Sequence, residues 1–265
     1  MMSKSKARTF TLAAGVALSL MANAGYADSK GKGHSAACRG LPSHATLKSA
    51  LTAARNQANG GFNLDMWGTI VNRDGVVCAV AFTGGNRGDQ WPGSRVISAQ
   101  KANTANAFSL PGLALSTANL FSAVQPGGSL YGLQHSNPVD TGVAYKGPAQ
   151  HFGKPQDPMV GNRIGGVNVF GGGLGLYKNY NGTKVLVGGL GVSGDSSCAD
   201  HNIAWRTRNL LGLDAVPAGV SGDAARPDNI VYDISGGVSA SGWGHPSCAP
   251  GVVEPIAAAL PPVQP

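Results

Sequence analysis

Hydrophobic residues recur at helical spacing in three segments of the chain, residues 42–58, 95–108 and 196–211. The first segment is followed by an Asn-Gly-Gly run at residues 59–61, a typical helix stop, and Ser94 is placed to cap the start of the second. These segments are therefore predicted to be the long helices of the protein.

Strand-like patterns flank two turn sequences. Two stretches meet at the Asn-Arg-Asp-Gly turn of residues 72–75, and two more meet around Asn181-Gly182. The predicted strands are residues 64–71, 76–82, 167–177 and 185–192, with 230–234 as a short edge strand. Hairpins pair antiparallel, so the order helix, hairpin, helix, irregular insert, hairpin, helix predicts an α+β fold: an antiparallel sheet with flanking helices.

The remaining segments are rich in Gly, Pro and polar residues. Residues 115–124 are predicted to form a short helix, whereas residues 125–166 have no clear period. An irregular insert of this length is usually functional or packs on a neighbouring subunit. Residues 236–265 are Gly/Ser-rich and then Pro-rich, a tail expected to be held mainly by Cys248. A single domain, residues 41–235, accounts for the rest.

The N-terminus predicts export. A positively charged start at residues 4–8 precedes an uncharged apolar run and a small-residue cleavage site, so residues 1–27 are predicted to be a signal peptide. Residues 28–40 are polar and are expected to be flexible. No later stretch suits a bilayer crossing, so we expect a periplasmic or secreted protein.

The charge balance argues against a nucleic-acid partner. The formal net charge is +7, from 20 Lys+Arg and 13 Asp+Glu. Without the three cations of residues 1–27 the chain has 17 Lys+Arg and 13 Asp+Glu, a net charge of +4. No cluster of basic residues stands out, so the electrostatic footprint of a nucleic-acid binder is missing.

The four cysteines favour two disulfide bonds, because an even set in an exported chain is usually oxidised. Three pairings are open. The pairing Cys38–Cys78 with Cys198–Cys248 is preferred, because each bond would tie a terminal segment to the domain body. A zinc site is the alternative, but the sequence has no closely spaced Cys pair.

Residues 189–194 match the dinucleotide-binding pattern G-x-G-x-x-G, and Asp214 lies twenty residues further on. A dinucleotide site needs that acid at the end of a second parallel strand, whereas Asp214 follows a predicted helix. The glycines are therefore predicted to let another group approach the strand closely.

Two core-facing helices each carry a charge among hydrophobic positions. Lys101 falls on the apolar line of the second helix, between Ile97 and Phe108, and Asp200 falls within the apolar face of the third. The other side of that third helix carries His201, Trp205 and Arg208. An unpaired buried ion is costly, so each charge needs a partner or a route to solvent.

Three interpretations of these charges are open. Lys101 reaches solvent while Asp200 caps helix amides, or the two form a salt bridge, or they line the floor of a pocket for an anionic or polar small molecule. In the pocket interpretation the ligand-binding residues are Lys101, Thr104, Gly189, Gly191, Ser193, Gly194 and Asp200.

Two segments resemble a known family. "SRVISAQKANTANAF" resembles the Ser-x-x-x-Ala-x-x-Lys-Ala-x-Thr-Ala-x-x-Phe helix of the GlcG/HbpS-like haem-degrading-domain family, also found at the C-terminus of PduO. "VGGLGVSGDSSCADHNIA" resembles its Val-Gly-x-Ile-Gly-Val-Ser-Gly-Gly…Asp-x-x-Ile-Ala segment, with Leu190 in place of Ile and Asp195 where a second Gly is common. The resemblance covers residues 41–124 and 163–213.

The resemblance implies a profilin-like domain that assembles into a homo-oligomer and binds haem, with some members degrading haem or sensing redox state. The insert, the added termini and the cysteines depart from the family pattern. With haem as ligand, Lys101 would hold a propionate, and His135 or His151, with Met159 behind them, would supply the iron ligand. The lower-ranked histidines, on predicted tails or exposed helix faces, are His34, His44, His201 and His245.

Three functions follow from these observations. The leading hypothesis is an exported small-molecule binder, for haem or a related tetrapyrrole. The second is an enzyme acting on haem or another small molecule, with Lys101 and Asp200 as an acid/base pair. The third is an oligomeric scaffold whose insert, residues 125–166, binds a partner protein.

Overall fold

A computed structural model describes residues 36–265 of the chain. Its helices and strands, in chain order, are α1 (His44–Arg55), β1 (Trp67–Asn72), β2 (Val77–Phe82), α2 (Ser94–Phe108), α3 (Leu133–Ser136), α4 (Thr141–Ala144), β3 (Gly173–Tyr180), β4 (Thr183–Ser193), α5 (Ser197–Leu210), β5 (Ile234–Ser235), β6 (Val238–Ser239) and α6 (Val253–Ala258). The predicted signal peptide, residues 1–27, lies outside the described residues, as does most of segment 28–40. Within residues 36–265, none of the helices combines the length and the apolar character that crossing a bilayer requires.

The four longer strands form one antiparallel sheet in the order β2-β1-β4-β3. Trp67 of β1 pairs with Phe82 of β2 on one side and with Ser193 of β4 on the other, so β1 and β4 are central. The turn residues Asn181 and Gly182 have φ angles of 52° and 87°, the left-handed conformation that this turn sequence favours. The α+β class and the antiparallel sheet with flanking helices are confirmed.

Helices cover both faces of the sheet. On one face, α1 and α5 pack on Ile70 and Leu190. On the other face, α2 packs on β1 and β4, and the insert adds Met159 to the same hydrophobic cluster. A Cβ atom at Gly191 would lie only 1.8 Å from the carbonyl oxygen of Ser98 in α2. The predicted role of the strand glycines is therefore confirmed, and the group that approaches them is the backbone of α2.

Two boundary predictions are wrong, and a local hydrogen bond explains the second. Helix α2 begins at Ser94 and its N-cap is Gly93, so Ser94 is not the cap. The predicted helix 115–124 is mostly turns, with a 3-10 helix at Ser122–Val124. The Asn119 side chain accepts from the Ser116 amide at 2.9 Å, a local bond that competes with helix formation.

The outer side of α5 is buried, contrary to the prediction for His201, Trp205 and Arg208. Their side chains are at most 1% exposed, because the C-terminal segment covers them. The Trp205 indole donates to the Pro261 carbonyl at 2.9 Å, and Arg208 forms a 2.6 Å ion pair with Asp228. The tail is therefore held not only by the bond at Cys248 but also by hydrogen bonds such as those from Trp205 to Pro261 and from Asn229 to Ala257.

Candidate functional site

Lys101 and Asp200 meet at the end of strand β4. They project from α2 and α5, on opposite faces of the sheet, and Lys101 Nζ lies 2.7 Å from Asp200 Oδ2. The two side chains are only 1% and 3% exposed. The salt-bridge interpretation is therefore confirmed, and the interpretation in which Lys101 reaches solvent is wrong.

Further hydrogen bonds satisfy both ions. The Lys101 ammonium also donates to the Val192 carbonyl at 3.1 Å and lies 3.4 Å from Ser193 Oγ. Asp200 Oδ1 accepts from the Asp195 amide at 2.9 Å. A buried ion pair needs such additional partners to offset the loss of hydration.

Burial shifts both pKa values of the pair. It lowers the pKa of Lys101, against the opposing effect of the Asp200 charge. It raises the pKa of Asp200 to about 6, again against the effect of Lys101. The two pKa values therefore move towards each other, a pattern that functional sites share with structural ion pairs.

A backbone segment without side chains lies against the pair. A Cβ atom at Gly172 would lie 3.2 Å from Lys101 Nζ and 3.0 Å from Asp200 Cβ, so only glycine allows this close approach. Gly172 has a φ of 113°, which also disfavours other residues. Two residues earlier, the Phe170 side chain is 43% exposed. An exposed aromatic ring therefore lies two residues before the backbone segment that contacts the pair.

His245, predicted to lie on an exposed tail, is in fact 2% exposed. Burial lowers its pKa to about 4, and the positive charge of Lys101 contributes in the same direction. His245 therefore lies within electrostatic range of the pair. Its ring also contacts Phe121, with 5.1 Å between ring centroids.

The disulfide Cys198–Cys248 holds this part of the tail. It joins the tail to α5 two residues before Asp200. The second disulfide, Cys38–Cys78, joins the N-terminal segment to β2. The preferred pairing is confirmed for both bonds.

A family model described as "Haem degrading protein HbpS-like" matches residues 43–208. The chain belongs to the HbpS-like family. The matched part of this HbpS-like chain includes Lys101 and Asp200, whereas His245 and Cys248 lie beyond it. A search of curated proteins found no match.

Three solved structures resemble the HbpS-like chain at low identity. A PduOC:haem complex is 24% identical, with 63% of this chain and 89% of that chain covered and a TM-score of 0.42. The Klebsiella pneumoniae protein ORFY is 23% identical, with coverages of 66% and 92% and a TM-score of 0.42. HbpS is 15% identical, with coverages of 63% and 86% and a TM-score of 0.38. The family membership rests on the match over residues 43–208.

The other predicted ligand-binding residues of the HbpS-like chain have contacts of their own. Thr104 Oγ1 donates to the Gln100 carbonyl at 2.8 Å and accepts from the Asn168 amide at 3.0 Å. Cβ atoms at Gly189 and Gly194 would lie 2.2 Å from the Ala102 carbonyl oxygen and 2.4 Å from that of Asp65. Gly189 and Gly194 therefore pack against neighbouring backbone, whereas Ser193 and Asp200 are in contact with Lys101.

The predicted iron ligands lie in the insert. His135 and His151 are both exposed, and no hydrogen bond or ion pair within residues 36–265 links either one to the Lys101–Asp200 pair. Met159 is fully buried in the cluster that α2 forms with the sheet. Iron ligation by these residues stays a prediction.

Sequence reasoning missed two further buried ion pairs. Arg95 of α2 binds Asp157 of the insert, with Nε 2.8 Å from Oδ2, and Arg208 of α5 binds Asp228. Each acid lies in an irregular segment far along the chain, so no spacing in the sequence pointed to it. The first pair fastens the insert to the helix that carries Lys101.

Lys101 and Asp200 are buried and line none of four open cavities found among residues 36–265, which have volumes of about 710, 590, 250 and 210 Å³. A ligand that contacts the pair must therefore displace part of its cover.

The buried His201 predicts loss of stability in acid. Burial lowers its pKa from 6.5 to about 3, so the unfolded chain takes up a proton at higher pH than the folded chain. The contribution of neutral His201 to the free energy of unfolding is fully present above pH 6.5. It is lost as the pH falls towards the pKa of His201 in the folded protein. We expect a loss on the order of 2 kcal/mol by about pH 4.5. Urea unfolding across this range measures it.

The matched variants are His201→Gln and His135→Gln. The first should reduce the acid dependence of the unfolding free energy to the part that His245 contributes, whereas the second, at an exposed histidine, should keep it. An equal slope in all three proteins would show that His201 does not cause the effect.

Proposed function

We propose that this chain binds haem or a related tetrapyrrole at a site built around Lys101 and Asp200. The observation that carries the proposal is the buried ion pair, located in the region that a haem-degrading family matches. The pair connects the two helices that bear the family-like sequence motifs. It is therefore the polar centre around which a ligand site of this domain is expected.

The surroundings of the pair suit a flat ring. A tetrapyrrole needs an apolar face to stack on and a cation for its carboxylates. Phe170 supplies an exposed aromatic ring, and Gly172, which has no side chain, covers the pair with backbone alone. We propose that the ring stacks on Phe170 and displaces the backbone cover of the pair.

Because the pair as a whole is neutral, a propionate can bind Lys101 only if it replaces Asp200 as the partner of the ammonium group. The raised pKa of Asp200, about 6, favours this exchange, since the carboxyl group takes up a proton more readily as it leaves the ammonium. In this proposal Lys101 holds the propionate, and His135 or His151 of the insert supplies the iron ligand.

Haemin titration of the mature chain, residues 28–265, tests the proposal. We expect a saturable Soret shift with one haem per chain. The neutral variant Lys101→Gln/Asp200→Asn should bind at least tenfold more weakly, a loss of about 1.4 kcal/mol or more. The Soret band of His135→Ala and His151→Ala should identify the iron ligand.

The matched control is Arg208→Gln/Asp228→Asn, which neutralises another buried pair, on the helix that carries Asp200. It should bind haemin as the unmodified protein does. Equal affinities in the two double variants, or the lack of a saturable shift in the unmodified protein, would contradict the proposal.

We also propose that the chain is exported and forms a homo-oligomer. Two disulfide bonds support export, because such bonds persist in oxidising compartments. Loss of residues 1–27 from the protein isolated from its host, measured by mass spectrometry, checks export. Light scattering of the same sample checks the assembly.

The pKa shifts of the pair favour one second candidate, an enzyme acting on haem. A lysine with a lowered pKa and an aspartate with a raised one suit proton transfer at a bound substrate. A single-turnover assay with haem and a reductant distinguishes the candidates. Turnover would appear as loss of the haem spectrum that depends on Lys101, whereas a pure binder leaves the spectrum intact.

A further inference from the structure

Three potential metal ligands converge where the tail meets α5. The sulfur atoms of Cys198 and Cys248 and a ring nitrogen of His245 all lie within 4.8 Å of one another. Cys198 and His245 are buried, whereas Cys248 is exposed and accessible from solvent. The family match ends at residue 208, so two of these three residues belong to the added tail.

His245 is held in the form that binds metals. Its Nδ1 lies 2.7 Å from the Pro246 carbonyl oxygen, and because a carbonyl can only accept, Nδ1 carries the proton. Nε2 therefore has a free lone pair, and within residues 36–265 it has no hydrogen-bond partner although the side chain is 98% buried. Metal-binding histidines are commonly oriented in this way, through a carbonyl on the other nitrogen.

The two sulfur atoms lie in surroundings that favour thiolates. The Cys198 amide donates to Cys248 Sγ at 3.2 Å, and the Cys248 amide donates to Cys198 Sγ at 3.2 Å. Cys198 is also the second residue of α5, a helix of 14 residues. Peptide N–H groups and a helix N-terminus both stabilise negative charge on sulfur.

We propose that reduction of the Cys198–Cys248 bond creates a binding site for a thiophilic divalent ion such as zinc, with Cys198, Cys248 and His245 as ligands. A dithiol reductant gives two hydrogen atoms to the cysteines and becomes a disulfide itself. Metal binding then releases the two thiol protons. A disulfide compound reverses the process: it takes up two electrons and two protons and becomes a dithiol, the bond between Cys198 and Cys248 forms again, and the metal ion is released. The disulfide and the metal therefore exclude each other.

The geometry requires little movement. Around a tetrahedral zinc ion the two sulfur atoms lie roughly 3.8 Å apart, and sulfur and nitrogen about 3.6 Å apart. Rotation of the exposed Cys248 side chain supplies this separation once the bond is open. Three protein ligands leave a fourth position for water, as in zinc sites that react with substrates.

Cobalt and zinc ions are suitable probes. The folded mature protein is treated with a phosphine reductant and titrated with Co²⁺, whose thiolate charge-transfer bands report sulfur ligation, and Zn²⁺ is then measured by competition. We expect one tight site in the reduced protein, binding at least tenfold weaker in His245→Ala, and no site in the oxidised protein. Circular dichroism follows the fold throughout.

The matched controls are His151→Ala, at an exposed histidine, and Cys38→Ser/Cys78→Ser, which removes the other disulfide. Both should keep the site. Equal metal affinity in His245→Ala and in the unmodified protein would overturn the proposal. This outcome is also expected if the reduced chain unfolds and binds the metal through free thiols alone. Binding in the oxidised protein, or no binding after reduction, would also overturn it.

Discussion

Replacing Lys101 alone by methionine is expected to lower the free energy of unfolding by about 3–5 kcal/mol. The substitution leaves the Asp200 carboxylate buried, 2% exposed, without its counter-charge. The loss should shrink as the pH falls below neutrality, because the raised pKa of Asp200 lets it become neutral. Urea unfolding at pH 7.5 and at a lower pH measures both effects.

The double variant Lys101→Met/Asp200→Leu tests whether this loss of stability comes from the unpaired charge of Asp200. Removing both charges leaves no unpaired ion, so this variant should be clearly more stable than Lys101→Met. Lys146→Met, at an exposed lysine, is the control and should change stability by no more than about 0.5 kcal/mol. A Lys101→Met protein as stable as this control would mean that the ion pair is unimportant for the fold.

The second large effect is expected for Gly191→Ala. The new methyl group would lie 1.8 Å from the Ser98 carbonyl oxygen and 2.5 Å from the Ala102 nitrogen, both backbone atoms of α2. Only displacement of the helix relieves this overlap, so we expect a loss of at least about 3 kcal/mol. Thermal unfolding followed by circular dichroism measures it.

Gly112→Ala is the control for this prediction. Nothing lies within 4 Å of a Cβ atom built at Gly112, so its stability should match that of the unmodified protein. Because displacement of α2 also moves Lys101, Gly191→Ala should lose haemin binding as well. Unchanged thermal stability in Gly191→Ala would contradict the close packing of α2 on strand β4.

The hydrophobic pattern of the sequence was sufficient to predict the long helices and the strands of the sheet. The helices have apolar residues at helical spacing, and the strands are apolar runs that flank turn sequences. Lys101 and Asp200 stood out because each interrupts an apolar helix face, and the need to neutralise buried charges made their contact one of three open interpretations. The disulfide pairing followed from a similar argument about the ends of the chain. Local rules thus led to the ion pair of the candidate site.

The cover of the site was not predictable from local patterns. His201 and Arg208 belong to a helix side that is apolar only in part, and a segment that contains Asp228, 20 residues beyond Arg208, helps to bury it. His245 lies in a Gly/Ser/Pro-rich stretch whose composition suggested a loose tail, yet the disulfide at Cys248 and contacts with Val231 and Phe121 hold this stretch on the domain. Such contacts depend on long-range packing and have no periodic signal.

The most direct test of haem binding at the ion pair is a crystal structure of the mature protein loaded with haemin. We expect the ring against Phe170 and a propionate oxygen within hydrogen-bond distance, about 3 Å, of Lys101 Nζ. A tetrapyrrole bound on another surface, with the 2.7 Å contact between Lys101 and Asp200 unchanged and still covered, would contradict the proposed site.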